Sequence, residues 1–479
     1  MKIVPLFGGS TRQKSPVVTV QRRLNCYLEN RVDGDKTKVA IYGTPGMLLK
    51  FTAGVSGPPM RAMLGSQTAL YVIQYNQFLS LGPIGNTLAS GTINTFTGLV
   101  SMAASPTQIV TVDGNTGYLW TVATNTLTTI AAFPATGAMT CTFVSGFFVA
   151  EQPGTQIFWV SNANDGSTWS GLAFASASIY SDTILAVDNL LGNLIVFCQQ
   201  HMEFWSNQGL FPEPFVPLIS AANEYGLAAI FSRAHVDQSI IVRAVTRTGQ
   251  VQGVQISGYN ANVISDADID AKFNSFATVS DAVALSYEVD THKFYQLSFP
   301  TQNRSFLFDC STRLWSEAQT GTSVTPVRHT ANLSTYYAGA MVVSDYKTNQ
   351  ISTLSVTQYT DNGVTIIREV VTRHILSQFN RIRISLLYID MESGVGLQTG
   401  QGSTPMIMLQ SSKDNGRTWS AERWIGLGPV GTYLTRVIWR RFGSARDYVF
   451  KLRMSDPVKF VITEGAIKIA ERPPAEKMG

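Results

Sequence analysis

Short apolar or alternating runs recur through the middle of the chain, each bounded by Gly, Asn, Asp or Pro. Such punctuation marks β-strands joined by tight turns. The runs fall into groups. One holds residues 68–74 and 77–81, and the next holds 99–104, 108–112 and 118–123. Then come 139–144, 147–151 and 156–160, followed by 183–187, 193–199 and 202–206. Two more groups cover 227–256 and 283–309, and a seventh covers 336–356. Starts near 98, 138, 182 and 226 give a period of about 40 to 44 residues, the length of one four-stranded propeller blade. Stacked sandwiches would explain the strands but not the period. Dipeptides such as Ser145-Gly146 and Thr248-Gly249, and the triplets Asp113-Gly114-Asn115 and Leu191-Gly192-Asn193, supply the positive φ that hairpin turns need. Helical periodicity is scarce, and residues 221–232 carry its best example.

From about residue 365 the strands lengthen. In Phe450-Lys451-Leu452-Arg453-Met454 apolar side chains alternate with cations, the pattern of a half-buried strand. The expected fold class is all-β. It comprises an N-terminal arm and start of a platform over 1–50, a β-propeller of six or seven blades over 51–364, and a C-terminal antiparallel β-sandwich over 365–479.

Composition sharpens this picture through charge. Only 14% of the 479 residues are charged, while 44% are hydrophobic. A surface so poor in charge favours life in an assembly. The net charge of +4 is also unevenly spread. Residues 1–50 carry 9 Lys+Arg and 3 Asp+Glu, residues 51–364 carry 10 and 19, and residues 365–479 carry 17 and 10. Two basic flanks thus enclose an acidic middle. The four cysteines stand far apart and fit buried free thiols of a protein folded in a reducing cytosol. No stretch has signal-peptide character or the apolar length of a membrane span.

The sharpest motif is Ser412-Lys413-Asp414-Asn415-Gly416-Arg417-Thr418-Trp419, an S-x-D-x-G-x-T-W Asp-box. A near copy surrounds Asn164, Gly166 and Trp169. The carboxylate of Asp414 caps turn N–H groups, Gly416 takes positive φ, and Trp419 packs back under the hairpin. The box is a fold device, although sialidase propellers also carry it. A sialidase-like glycosidase would need paired carboxylates or a Tyr–Glu pair, with converging arginines. Arg61, Arg233, Arg243, Arg247, Arg304, Arg313 and Arg328 of the middle region form no such motif. The histidines lack metal spacing, and no phosphate loop or nucleophile elbow occurs. No catalytic residue, metal or cofactor is expected. What remains is basic: Arg12, Lys14, Arg22 and Arg23 near the start, and Arg436, Arg440, Arg441, Arg446, Lys451 and Arg453 near the end. These are candidates for phosphate contact or for docking on an acidic partner.

Several segments carry a family resemblance: residues 23–29 (RLNCYLE), 39–46 (VAIYGTPG) and 201–206 (HMEFWS), the Asp-box with Trp424, and residues 439–443 (WRRFG) running into 450–453. Together they resemble the tail hub, or packaged-DNA stabilisation, proteins of short-tailed bacteriophages. The resemblance implies a structural virion protein rather than an enzyme: a propeller nozzle in a homo-hexameric ring below the portal and its adaptor. Such a ring extends the DNA channel, retains packaged double-stranded DNA, conducts it without sequence specificity, and offers a surface to tail fibres or spikes. It implies a place in the virion tail after synthesis in the host bacterial cytoplasm. An acidic propeller would repel DNA and let it slide, leaving the basic ends for docking. The competing reading is a receptor- or glycan-binding propeller, which would expose Trp120, Trp159 or Trp205 at one mouth.

Overall fold

A computed structural model describes residues 2–3, 10, 15–30, 39–377 and 380–470. Seven antiparallel sheets form the propeller. Blade one runs over residues 60–92, blade two over 101–129, blade three over 141–176 and blade four over 184–217. Blade five spans 225–263, and its inner position is shared by Tyr225–Leu227 and Ala234–Val236. Blade six spans 283–318. Blade seven takes three strands from 331–355 and its fourth, Gly46–Thr52, from the other end of the chain. That non-local strand closes the ring.

Turn chemistry fixes each hairpin. Ser145 and Gly146 both take positive φ, as do Leu191 and Gly192, so both two-residue loops have the handedness that matches strand twist. Between blades the filler is aromatic. Trp120 stacks on Phe78 at 4.6 Å, and Trp205 meets Phe158 edge-on at 5.0 Å. Trp120 and Trp205 are buried, and Trp159 is half-buried with its indole N–H donating to Gln152. These rings pack the blades and present no aromatic mouth, which removes the main support for a glycan-binding propeller.

Two sheets face each other in the sandwich. One holds Cys26–Asn30, Val39–Gly43, Val461–Ala470, Ile382–Met391 and Val437–Ala445. The other holds Arg22–Leu24, Arg368–Val371, Asp447–Met454, Met406–Ser412 and Arg423–Gly426. Phe450, Leu452 and Met454 are fully buried between them, as the alternation requires. The first fifty residues are therefore not a separate arm and platform. Residues 22–43 supply sandwich strands and 46–52 complete blade seven, because each strand's N–H and C=O groups need a neighbour. Leu24 pairs in parallel with Glu317, so the sheet of blade six continues into the sandwich.

Residues 221–232 do not form a helix. They hold the strand Tyr225–Leu227 and the 3-10 turn Ile230–Ser232. The α-helix among the described residues is Ala267–Asn274, where the Asp266 carboxylate accepts from Asp268 N–H and Ile269 N–H. With eight residues it is too short to show a clear period, and its cap was the readable signal. The four cysteines are free, three of them buried.

One buried acid makes a testable stability claim. Burial holds Asp361 up at about 7, although Thr320 donates to it and Arg368 is nearby. A carboxyl raised in the folded state contributes stability that is full below its unfolded pKa of about 4 and is lost as pH rises through the folded value. Asp361→Asn should therefore stabilise the protein at pH 8 by roughly 2–4 kcal/mol and have little effect at pH 4. Denaturant titration at the two pH values checks this.

Candidate functional site: the basic sandwich face and the axial cavity

The candidate cations separate into two kinds. Arg22, Arg453 and Lys451 are internal. Arg22 donates to Glu317 at 2.7 Å and to Glu369 at 2.8 Å. Arg453 bonds Glu369 through Nε at 3.0 Å and Nη2 at 2.6 Å. Burial would lower the pKa of Arg22, but Glu317 and Glu369 more than offset it and raise it. Lys451 lies 3.9 Å above the Trp419 ring, and burial lowers its pKa despite Glu369. Arg23 is buried, and desolvation pulls its guanidinium down to about 10. These four are unsuited to docking, because tertiary partners or burial already occupy them. Arg12 and Lys14 lie outside the described residues.

Arg436, Arg440, Arg441 and Arg446 are exposed. The register places Arg440 and Lys468 on either side of Leu386, with Arg383 further along the same strand. Exposed Arg381, Arg383 and Lys468 thus join the four arginines on the outer face of the Val437–Ala445 sheet. The sequence reading missed these three because they become neighbours only through strand pairing between segments distant in the chain. A bulge opposite Ser385 shapes the face, and in it Arg441 takes φ 65°. A side chain in that region costs about 1–2 kcal/mol. Arg441→Gly should therefore stabilise the fold by about 1 kcal/mol in thermal unfolding while removing one cation from the face.

The Asp-box behaves as its spacing requires. Gly416 N–H donates to the Ser412 hydroxyl at 2.9 Å, and Thr418 N–H donates to Asp414 at 2.9 Å. Bonds from the Thr418 hydroxyl and backbone N–H and from Ser412 hold Asp414 down at about 2. Gly416 takes φ 76°. The near copy is built differently. Asn164 takes φ 55° in a tight loop, and Asn162 pairs with Asp165. The capping carboxylate is Asp165, which accepts from Ser167, rather than Asn164. Gly166 lies in the strand, where a Cβ would come within 2.6 Å of Val110. Trp169 does pack back, donating to Gly166 C=O at 2.9 Å.

The seven innermost strands enclose an axial cavity of about 460 Å³. It is lined by residues such as Met63, Met102, Phe143, Leu285 and Leu333 and one charged cluster. There Asp188 accepts from Arg233 at 3.1 Å and from His235 at 2.9 Å. Asp188 raises the pKa of His235 and, despite burial, is itself held down at about 2 by His235 and Arg233. Ligand sites have volumes of about 300–1,000 Å³, whereas the DNA major groove alone is about 12 Å wide. The cavity has the volume of a ligand site and is too small to hold a segment of duplex DNA.

A second buried knot also escaped the sequence reading. His201 faces Asp182 at 3.0 Å and Glu203 at 3.1 Å, and Trp205 N–H donates to Glu203 at 3.1 Å. Its readable signal was His201, Glu203 and Trp205 at alternate positions, hence on one side of a strand. Among the described residues, no cluster of His, Cys, Asp and Glu could hold a metal ion.

No curated protein matches the chain in sequence. Among solved structures it is similar to the Neurospora crassa Pan2 WD40 domain, with 9% identity and a TM-score of 0.40 over 62% of this chain and 89% of that one. It is also similar to the N-terminal domain of Nup159, with 9% identity and a TM-score of 0.39 over 68% and 98%. Family models give the assignment. Residues 27–359 match the β-propeller of bacteriophage P22 Gp10 and residues 367–470 match its β-sandwich. The chain therefore belongs to the bacteriophage P22 Gp10 family of phage tail proteins.

Proposed function

We propose that this protein is the hub of a short-tailed phage tail, a homo-hexameric ring that extends the DNA channel below the portal and adaptor. In that position it retains packaged DNA, conducts it during ejection and seats tail fibres or spikes. Family membership carries this reading, and the size of the axial cavity shapes it. A 460 Å³ propeller cavity holds no segment of duplex, so the conduit is the space enclosed between copies. The exposed arginine face is the natural seat for an acidic partner such as the adaptor or a fibre base, because no ion pair among the described residues neutralises its cations. Sliding then depends on the lumen presenting few cations, since each neutralised phosphate adds salt-dependent affinity.

Imaging of tails assembled with and without this chain tests the reading. The expected result is a ring directly below the adaptor that is missing when the chain is omitted. A protein that never enters a tail overturns the proposal, and a lumen continuously lined by Arg and Lys overturns the sliding mechanism.

A further inference from the structure

Charge is scarce on one side of the propeller. Between residues 62 and 181 only Asp113, Glu151 and Asp165 are charged. Asp113 and Glu151 are buried, which leaves Asp165 as the charge on the outer surface of blades one to three. An isolated protein blunts its sheet edges with charge, proline, short strands or a covering element. Five blades obey this rule, blade two through its four-residue outer strand Thr126–Thr129. In blade four the outer strand Phe215–Pro217 has three residues, and prolines stand at 212, 214 and 217. In blade five Asn260–Val263 has four residues. Leu314–Ala318 of blade six is covered by Arg22–Leu24, and Gly46–Thr52 of blade seven is covered by Thr360–Asp361.

Blade three breaks the rule. Its outer strand Asp165–Ser176 is twelve residues long, and no strand pairs with its outer side among the described residues. After Asp165 it contains no charge and no proline. Leu172, 72% exposed, and Phe174 point outward. The outer strand of blade one, Thr87–Thr92, is likewise uncharged and presents exposed Leu88.

Three large apolar side chains of the sandwich are also exposed. Trp424 is 54%, Tyr433 71% and Leu434 94% exposed. Trp424 belongs to Arg423–Gly426, the last strand of the sheet that begins in blade six. In a seven-bladed ring, blade six stands opposite blades two and three. The chain thus carries two complementary features on opposite sides: an uncharged wall with an open strand edge, and an apolar tip. Features so placed do not match each other about a two-fold axis. They match head to tail, which is the arrangement that generates rings.

We propose that the outer wall of blades one to three of one copy seats the Trp424–Tyr433–Leu434 tip of the next copy. This rests on the ring reading above and names its interface. An uncharged wall suits the apolar side chains of this tip, with exposed Arg436 left at the polar rim of the contact.

The test uses the full chain with two surface variants, Leu172→Lys and Leu434→Lys. Both sites are highly exposed, so each variant should melt like the wild type. Sedimentation should show wild-type association at or below about 100 µM and each variant weakened by about 30-fold or more. Mixing is decisive. A head-to-tail contact has one intact wall on the Leu434→Lys protein and one intact tip on the Leu172→Lys protein. The mixture should form heterodimers of wild-type affinity and nothing larger. A wild type that stays monomeric, variants that associate like the wild type, or a mixture with no heterodimer each overturns the interface. Tail entry of the wild type is scored separately, so that the hub reading can stand where the interface fails.

Discussion

Removing residues 1–43 is expected to unfold the sandwich while leaving the propeller intact. The deletion takes out Arg22–Leu24, Cys26–Asn30 and Val39–Gly43, three strands from two facing sheets. It removes the buried side chains of Leu24, Cys26, Tyr27, Leu28 and Ile41. At about 1.5–3 kcal/mol for each large apolar side chain, the loss is roughly 10 kcal/mol, comparable to the ~5–15 kcal/mol net stability of a typical domain. It also strips a pairing partner from one side each of Val461–Ala470 and Arg368–Val371. Gly46–Thr52 stays, so blade seven remains closed. Limited proteolysis should digest residues beyond about 365 and leave a protected propeller fragment. A protease-resistant sandwich in the deleted protein would refute this account. Extending the deletion to residue 52 opens blade seven as well and is expected to abolish the folded propeller.

The same topology explains what could and could not be read from the chain. Blades one to six are local: each is a run of hairpins whose turns are written in residues such as Ser145-Gly146 and Leu191-Gly192. A pattern with a period near 40 residues therefore exposes them. Blade seven and the sandwich depend on strands joined across some 300 to 430 residues, such as Ile351 with Phe51 and Ile41 with Ile462. Hydrophobic alternation says that such strands have a buried face, but not which strand lies beside them. The basic cluster divides for the same reason. Alternation places Lys451 and Arg453 on one side of their strand, yet only the arrival of Glu369 on the next strand makes Arg453 an internal ion-pair partner. Arg440, with no such neighbour among the described residues, stays exposed. The acidic balance of the middle was legible as a sum but misleading as a surface, because the charges cluster in blades four to seven.

Truncating Glu369 tests the joint between the two domains. Glu369 is 1% exposed, and its carboxylate receives Arg22 from one side and Arg453 from the other. Arg22 also reaches Glu317 on blade six, which Lys272 of the helix contacts at 2.7 Å. The chain Lys272–Glu317–Arg22–Glu369–Arg453 therefore ties blade six to the sandwich by alternating charge. Glu369→Ala leaves two largely buried guanidinium groups short of a partner, and breaking a buried pair in this way costs about 3–5 kcal/mol. Glu369→Gln keeps the shape and one acceptor oxygen and should cost less. The acid limb of stability follows from the same groups. Burial would raise the pKa of both glutamates, but Lys272 and Arg22 bring Glu317 down to about 2, and Arg22 with Arg453 lowers Glu369. A carboxylate depressed in the folded state contributes stability present above its unfolded pKa near 4.3 and lost as pH falls through the folded value. The wild type should accordingly lose stability between about pH 5 and pH 2, and Glu369→Ala should flatten that slope. Thermal unfolding across this range measures both effects. If Glu369→Ala melts within a degree of the wild type at pH 7, the joint is held by apolar packing alone and the ion chain is incidental.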